Sequence, residues 1–458
     1  MQWKKIVIFV FFISILSANE DVGVQHLSLN HAIKMLKSDN LEIKNASFDV
    51  ESAKAKLAMS QGLAWGKLAF TQDIARSNDA GNVFGFKLAS REATFGDFGA
   101  QEFVNAYTSG RPDAYTKPPD RLNYPDPRTH YQTKIKYEVP LFTGFKLTSY
   151  SQIMHDMVYL QSLEKQKVIN EKIYQIKKSF YNMALLHNSA NNLHVIANNI
   201  ESLKNTTQEM IAVGYAKKVD LLEVEAKEAS VARVLRELTL NQTLLYQYIS
   251  FLLNTKVKSI VLPSMDVPML GYSDETIVKN NIDIQKAALG LKINSNMLRA
   301  EKSVYYPSVG AFAELSTSDN SFLGKANQHK SYTVGARLTW NLFNGGIDSA
   351  KIENAEIKKL KNVTQLTLAK KGIALKVSKL KTEIEEVNVD IVSLKKELAL
   401  SNAIYENYLG RYKEKLSSMN DVIIKQSAQI EKILALQKAY NKKNELIFAL
   451  EKLANGDK

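Results

Sequence analysis

Asp220 and Asp421 are the acidic residues whose placement carries the most information. Each stands 78 positions after a phenylalanine (Phe142, Phe343) and 34 before an asparagine (Asn254, Asn455). A carboxylate beside a break in helical sequence can cap the next helix by accepting a hydrogen bond from a free backbone N–H. Enzymatic constellations are missing: the sequence has no Gly-x-x-x-x-Gly-Lys, no His-Glu-x-x-His and no Gly-x-Ser-x-Gly. His187 and His194 share a helical face, but seven residues of helix separate them by about 10 Å, too far to chelate one ion. Cysteine is absent, which excludes a thiolate metal site, a cysteine nucleophile, a disulfide framework and a lipid-modified cysteine. No catalytic residue, cofactor or metal is expected.

The elements that would position these aspartates follow from composition and pattern. The 458 residues include only 20 glycines and 9 prolines, which points to long helices rather than loop-rich domains. A mean hydropathy of −0.22 excludes a polytopic helical membrane protein. Lys4 and Lys5 precede an apolar run from Ile6 to Leu16, and Ser17-Ala18 follows. A basic flank, a short apolar run and a small-residue end predict a secretory signal peptide over 1–18. The run falls short of the roughly 20 residues a spanning helix needs. The chain is basic, with 60 Lys and Arg against 47 Asp and Glu for a net charge of +13. Export and solvated helix faces account for runs such as Lys358-Lys359…Lys361, so nucleic acid is not expected as a partner.

Beyond the leader one pattern occurs twice. Leu27-Ser-Leu-Asn-His-Ala-Ile, Asn40-Leu-Glu-Ile and a helical run through Gly62 open the first copy; the second opens near Ser273, continues with Asn281-Ile-Asp-Ile and runs helically through Ser303. Each copy then holds two alternating segments, Ala64–Ile74 and Tyr131–Phe142 in the first, Tyr306–Thr317 and Tyr332–Phe343 in the second. Tyr131, Thr133, Ile135, Tyr137, Val139 and Leu141 share one face of their segment, while Lys134, Lys136 and Glu138 take the other. In the last segment Val334, Leu338 and Trp340 oppose Thr333, Arg337 and Thr339. A period of two this regular means strands with one apolar and one polar face.

Pro140-Leu-Phe-Thr-Gly or Asn341-Leu-Phe-Asn-Gly-Gly closes each strand pair. A proline-free helical run of roughly 70 residues, a break near Gly214 or Ser417-Ser418, and a second helix to Leu253 or Leu453 follow. With a rise of 1.5 Å per residue, the first helix of each pair would extend roughly 100 Å. Ala226, Ala229, Ala232, Leu235, Leu238, Leu245 and Leu252, and in the second copy Ile423, Ile430, Ile433, Leu436, Tyr440 and Leu450, recur at threes, fours and sevens. These are narrow coiled-coil seams on otherwise polar helices. The equal spacings mark an internal duplication.

The strands have the length that crosses an outer membrane when tilted. Four of them cannot close a barrel, and an open edge is not tolerated in lipid. The chain must pool its strands; three copies give twelve, wide enough to leave an aqueous lumen. The apolar faces would meet outer-membrane lipid. Lys134, Lys136, Glu138 and Arg337 would face the lumen, and Trp340, Tyr305 and Tyr306 would lie in the aromatic girdle near strand ends. A periplasmic coiled-coil adaptor or scaffold without a pore is the competing class, and it has no use for lipid-facing strands.

Taken in order, the Leu27–Ile33 opening, Tyr306-Pro307, the two Leu-Phe-x-Gly closures and the duplicated hairpins resemble the TolC-like outer-membrane efflux proteins across essentially the whole mature chain. Segment Val83-Phe-Gly-Phe-Lys-Leu…Phe95-Gly-Asp-Phe98 is similar to a loop of some members. The resemblance implies an α+β membrane fold in which four transmembrane strands and long coiled-coil hairpins per chain assemble into a homotrimeric 12-stranded β-barrel continued by an α-helical barrel. It implies an outer-membrane exit duct, not an enzyme, with a long periplasmic extension. The duct would work with a periplasmic adaptor (membrane fusion) protein and an inner-membrane pump in tripartite efflux or type I secretion. The expected organisation is signal peptide 1–18, periplasmic helices 19–63, strand pair 64–142 with an extracellular loop 76–130 lacking a sustained helical period, hairpin 143–253, linker and helices 254–305, strand pair 306–343, and hairpin 344–458 with the C-terminus. Within the resemblance, the turns at 212–221 and 413–422 form the periplasmic aperture, with Asp421, Asp220 and Tyr412 as gate residues. The sequence departs from the family's pattern at Ile424 and Ser417, where an aspartate and an arginine can occur. Crowded carboxylates in a ring would raise part of their pKa values.

Overall fold

The computed structural model describes residues 23–269 and 271–455; the signal peptide expected over 1–18 lies outside them. The described residues divide into two compact units, one built from 23–49 with 162–286 and 367–455, the other from 50–161 with 287–366. Among the described residues no helix is long and apolar enough to cross a membrane.

In chain order the elements are α1 (Leu29–Asp39), α2 (Leu41–Gly62), β1 (Lys67–Ser77), α3 (Ala80–Ala89), α4 (Ala100–Thr108), α5 (Asp120–Asn123), β2 (Arg128–Thr143), α6 (Lys146–Ala212) and α7 (Lys218–Leu253). The second half holds α8 (Asp274–Asn280), α9 (Ile282–Glu301), β3 (Ser308–Asp319), β4 (Lys330–Thr339), α10 (Ile347–Lys413) and α11 (Met419–Ala454). The long helices match in length, 67 residues for both α6 and α10 and 36 for both α7 and α11.

Equivalent asparagines fasten the two copies. Asn40 Oδ1 accepts from the amides of Glu42 and Ile43 at 3.0 Å each, capping α2, and its Nδ2 donates to the Leu252 carbonyl at 2.8 Å. Asn281 caps α9 through Asp283 and Ile284 at 3.0 and 3.2 Å, and donates to the Leu453 carbonyl at 3.0 Å. Both side chains are buried. Each therefore satisfies free N–H groups at one helix start and a free carbonyl at another helix end. Asn254 and Asn455 close α7 and α11 in the left-handed conformation, with φ of 50° and 55°. Around these clamps lie equivalent cores, Leu36, Ile176, Met183, Ile249 and Leu252 in the first copy and Ile277, Val377, Ile384, Leu450 and Leu453 in the second. Ion pairs Lys177–Glu451 at 2.9 Å, Lys178–Glu445 at 2.7 Å and Lys452–Glu171 at 2.9 Å tie α6 to α11.

The seam of α7 differs from the stripe expected of its alanines. Val224, Val231, Leu238 and Leu252 are buried at heptad spacing, whereas Ala226, Ala229 and Ala232 are exposed within the chain. Bulkier side chains win the seam because they remove more apolar area from water.

In the other unit the four strands form one antiparallel sheet in the order β1-β2-β3-β4. Two boundaries differ from the sequence pattern. β4 stops at Thr339, short of Phe343, because β3 begins at Ser308, the partner of Thr339, and offers no backbone groups beyond it. The connection between β1 and β2 is not devoid of helix. Asp79 caps α3 by accepting from the Asn82 amide at 3.0 Å, and Asp97 anchors the next turn through the Thr94 amide at 2.7 Å and Lys87 Nζ at 2.5 Å. Local capping builds these helices where apolar periodicity is weak. The Lys87 ammonium and the Thr94 donors lower the Asp97 pKa to about 2. After β2, Gly144 adopts φ 61°, and a Cβ there would come 2.5 Å from the Ser303 carbonyl oxygen, so the Leu-Phe-Thr-Gly closure requires glycine.

Replacing Asn281 by alanine removes both cap and clamp, with an expected loss of about 2 kcal/mol. Asn281→Ser keeps a cap acceptor and should lose about half as much. Thermal unfolding midpoints of the purified proteins should therefore fall in the order wild type, serine, alanine. An alanine variant that melts with the wild type would remove the clamp from the stability of the second copy.

Candidate aperture residues and strand faces

Both hairpins reverse direction through the same backbone device. In the first, the Tyr215 amide donates to the Met210 carbonyl at 2.7 Å and Gly214 to Ile211 at 3.1 Å; in the second, Leu416 donates to Arg411 at 2.7 Å and Lys415 to Tyr412 at 2.9 Å. This paired closure needs one left-handed residue, supplied by Gly214 at φ 77° and by Lys415 at φ 64°. The Lys415 ammonium lies 3.3 Å from the centre of the Tyr215 ring, joining the two tips by a cation–π contact.

Asp220 and Asp421 occupy the third position of α7 and α11. Asp421 Oδ2 accepts from the Ser418 amide at 3.1 Å and from the Ser418 and Ser417 hydroxyls at 2.6 and 3.3 Å, and the Asp421 amide donates back to Ser418 Oγ at 3.2 Å. This is a complete capping box. Asp220 Oδ2 accepts from the Lys217 amide at 2.7 Å. Lys217 has no side-chain acceptor, so only half of the reciprocal pair forms. Both aspartates are partly exposed helix caps, and in each only Oδ2 is engaged within the chain. The Ser418 hydroxyl and amide hold the Asp421 carboxyl below the usual aspartate range, opposite in direction to the rise expected from crowding. Tyr412 is buried between the hairpins beside Thr207, and its hydroxyl finds no hydrogen-bond partner that meets ordinary geometry. Burial and the nearby Asp220 push its phenol up.

Several polar residues near the tips escape a reading of periodicity. Lys227 of α7 donates to Ser427 of α11 at 2.7 Å, and burial lowers its pKa. Gln426 is fully buried and reaches the Tyr405 hydroxyl at 3.4 Å, a weak contact. The signal available in the sequence is Gln426 lying four residues from both Val422 and Ile430, on the buried seam of α11.

The sheet separates its two faces by register. Leu68, Phe70 and Ile74 of β1 pair with Tyr137, Ile135 and Tyr131 of β2. Ile135, Tyr137 and Val139 pair with Leu315, Ala313 and Ala311 of β3, which pair with Tyr332, Val334 and Ala336 of β4. This apolar face is open within the chain, with Leu68 71 % and Val334 73 % exposed. The opposite face carries Lys134, Lys136, Glu138, Glu314 and Arg337; Lys134 stands 3.7 Å from Glu314 and Lys136 2.7 Å from Glu138. Phe312 interrupts this polar face and covers Gly335, where a Cβ would come 2.7 Å from its ring. The exposed Trp340, Tyr305 and Tyr306 lie just outside β4 and β3, and Tyr306 packs edge-on against Phe145 at 5.7 Å between ring centres.

Long paired helical hairpins joined to a four-stranded sheet with one apolar and one polar face define the TolC-like fold. Residues 275–418 match the outer membrane efflux protein family. Among solved structures, crystal structures of CusC are 13 % identical, with a TM-score of 0.78 over 96 % of this chain and 95 % of theirs. VceC from Vibrio cholerae is 13 % identical, with a TM-score of 0.75 over 93 % of this chain and 96 % of its own. The Campylobacter jejuni CmeC outer membrane channel is also 13 % identical, with a TM-score of 0.74 over 93 % and 85 %. No curated protein sequence matches the chain. The chain has the TolC-like fold.

Folding lowers the Asp421 pKa. Its cap therefore contributes fully above about pH 4 and is lost as the pH falls through the lowered value. Hydrogen exchange at residues 417–422, corrected for intrinsic rate, should show protection falling below about pH 4. Asp421→Asn should lack that step; identical profiles would mean that the carboxylate does not secure the turn.

Proposed function

We propose that three copies of this chain form a passive exit duct in the outer membrane, delivering substrate from a periplasmic adaptor and inner-membrane pump to the exterior. The observation that carries this reading is the register of the sheet: an exposed, mostly apolar face, crossed by one polar row of Gln72, Thr133, Thr317 and Lys330 and backed by a charged face, with β1 and β4 each paired on one side only among the described residues. Twelve pooled strands would remove both edges and enclose an aqueous lumen lined by Lys134, Lys136, Glu138 and Arg337. A pore-free adaptor leaves the apolar face unexplained. The efflux family match and the channel descriptions of the structural relatives support export. In this arrangement the hairpins extend into the periplasm and the connection 78–127 lies outside, since long connections of outer-membrane barrels face the exterior.

The same reading makes the hairpin tips the periplasmic aperture. Three copies each of Asp220 and Asp421 near a threefold axis would form a ring that favours cations, with Tyr412 behind it between the hairpins. Lys217, Lys218, Lys413 and Lys415 flank the tips; Lys415 rests on Tyr215.

In mild detergent the particle should have the mass of three chains, about 150 kDa from the 51.5 kDa chain less its leader. A stable, detergent-free monomer would overturn the membrane reading. In planar bilayers, Asp220→Ala combined with Asp421→Ala should raise conductance and weaken cation preference. Conductance and selectivity unchanged from wild type would place the constriction elsewhere and leave these aspartates as caps alone.

A further inference from the structure

The connections of the sheet bring together three potential metal ligands that the channel reading does not use. Asp319 ends β3, and His329 immediately precedes β4. The turn between them folds back on itself: Asp319 Oδ1 accepts from the Asn320 amide at 2.6 Å, Oδ2 accepts from the Lys325 amide at 2.5 Å, and the His329 amide donates to the Lys325 carbonyl at 3.1 Å. Gly324 leaves the space, since a Cβ there would come 2.5 Å from Asp319 Oδ2. Glu92 reaches the same place from the β1–β2 connection. Arg128 at the start of β2 donates from Nη2 to Glu92 Oε2 and so fixes that carboxylate. One ligand atom from each of Glu92, Asp319 and His329 lies within 4.8 Å of the other two.

His329 supplies the observation that points to a ligand. Its side chain is 7 % exposed, like that of Asp319, and Nδ1 is buried without a hydrogen-bond partner. That nitrogen stands 3.4 Å from Asp319 Oδ2, an oxygen that also receives an amide proton. A cation between them would use both lone pairs. Tetrahedral Zn²⁺, with bonds of about 2.0–2.1 Å to nitrogen and oxygen, separates adjacent ligands by about 3.3–3.4 Å. The observed spacing is therefore that of two zinc ligands before any movement. The Glu92 carboxylate completes a three-ligand set with a fourth position for water.

We propose that Glu92, Asp319 and His329 form a binding site for Zn²⁺ or a similar first-row divalent cation, which would clip the β1–β2 connection to the β3–β4 turn. One nitrogen and two oxygens suit zinc better than calcium, which takes six to eight oxygens. Arg128 and the Lys325 amide orient the two carboxylates from outside the ligand set. The Arg128 charge sets a limit on affinity, because it offsets one of the two carboxylates. The site is independent of oligomeric state and of the direction of export, since all its residues come from one copy of the sheet and its connections.

Full-length protein purified in mild detergent and stripped with chelator should bind one Zn²⁺ per chain by calorimetry. Co²⁺ should bind at the same site with the intense visible absorption of a four-coordinate centre, displaced by Zn²⁺. His329→Ala should weaken Zn²⁺ binding about 100-fold or more, given the 10–100-fold cost of losing even an outer partner. Glu92→Gln, a near-isosteric change at the most exposed of the three ligands, should weaken it at least about tenfold. His194→Ala should bind as wild type. Zn²⁺ should also slow proteolysis within 78–127 in wild type and not in Glu92→Gln. No stoichiometric zinc, or zinc bound equally by wild type and Glu92→Gln, would overturn the proposal and leave His329–Asp319 a plain buried polar pair.

Discussion

Backbone N–H and C=O groups along the outer edges of β1 and β4 have no strand partner among the described residues. The sheet between them turns an open apolar face outward. A two-faced sheet of four strands cannot cover that face with itself, and a strand edge in lipid leaves costly groups unpaired. In the proposed assembly lipid would cover the apolar face while neighbouring copies pair edge to edge, and both conditions would be relieved together. The strand lengths, the prevailing alternation and the short β3–β4 turn are consistent with a sheet built to be continued rather than packed against a helix layer.

The duplicated hairpins follow a complementary logic. Equivalent residues in the helical parts are offset by 201 positions, as in Leu252 and Leu453, whereas those preceding the strands are offset by 241, as in Asn40 and Asn281. The difference of 40 is the difference in length between the connections 78–127 and 320–329. Growth between the copies was thus confined to strand connections, where backbone polar groups can be satisfied locally by short capped helices. The helical lengths did not change, because Asn40 and Asn281 each join a helix start to the end of a return helix; an insertion in either long helix would pull the clamp out of register.

Period and spacing made the strands, the hairpins and the repeat legible. Alternation identifies a strand because side chains on a pleat point to opposite faces, and the 78- and 34-residue spacings survive because helix length is conserved by packing. What the pattern could not show depended on partners distant in sequence. β4 ends at Thr339 for want of further β3 residues, although Trp340 and Leu342 continue the alternation. The alanines of α7 suggested its seam, yet Val224 and Val231 hold it. Gln426 looks like surface until Tyr405 is placed beside it. Glu92, Asp319 and His329 share no local motif, and only the sheet register and the folding of two connections unite them.

Asp220 and Asp421 are helix caps, and the gate role proposed for them would place an opposite demand on the same carboxylates. A buried ring of carboxylates tends to neutralise, since each added charge raises the pKa of the others. The Ser418 hydroxyl and amide act the other way, holding Asp421 ionised through hydrogen bonds already present in a single chain. Those bonds occupy Oδ2 alone, and Oδ1 remains available to a cation or to a donor from a neighbouring copy. A helix N-terminus also favours negative charge. In a threefold assembly the caps would therefore supply the field that keeps a crowded ring charged. The stability of the turns and the sign of the mouth would rest on the same carboxylates, so an alanine at either position loosens its turn as well as removing a charge.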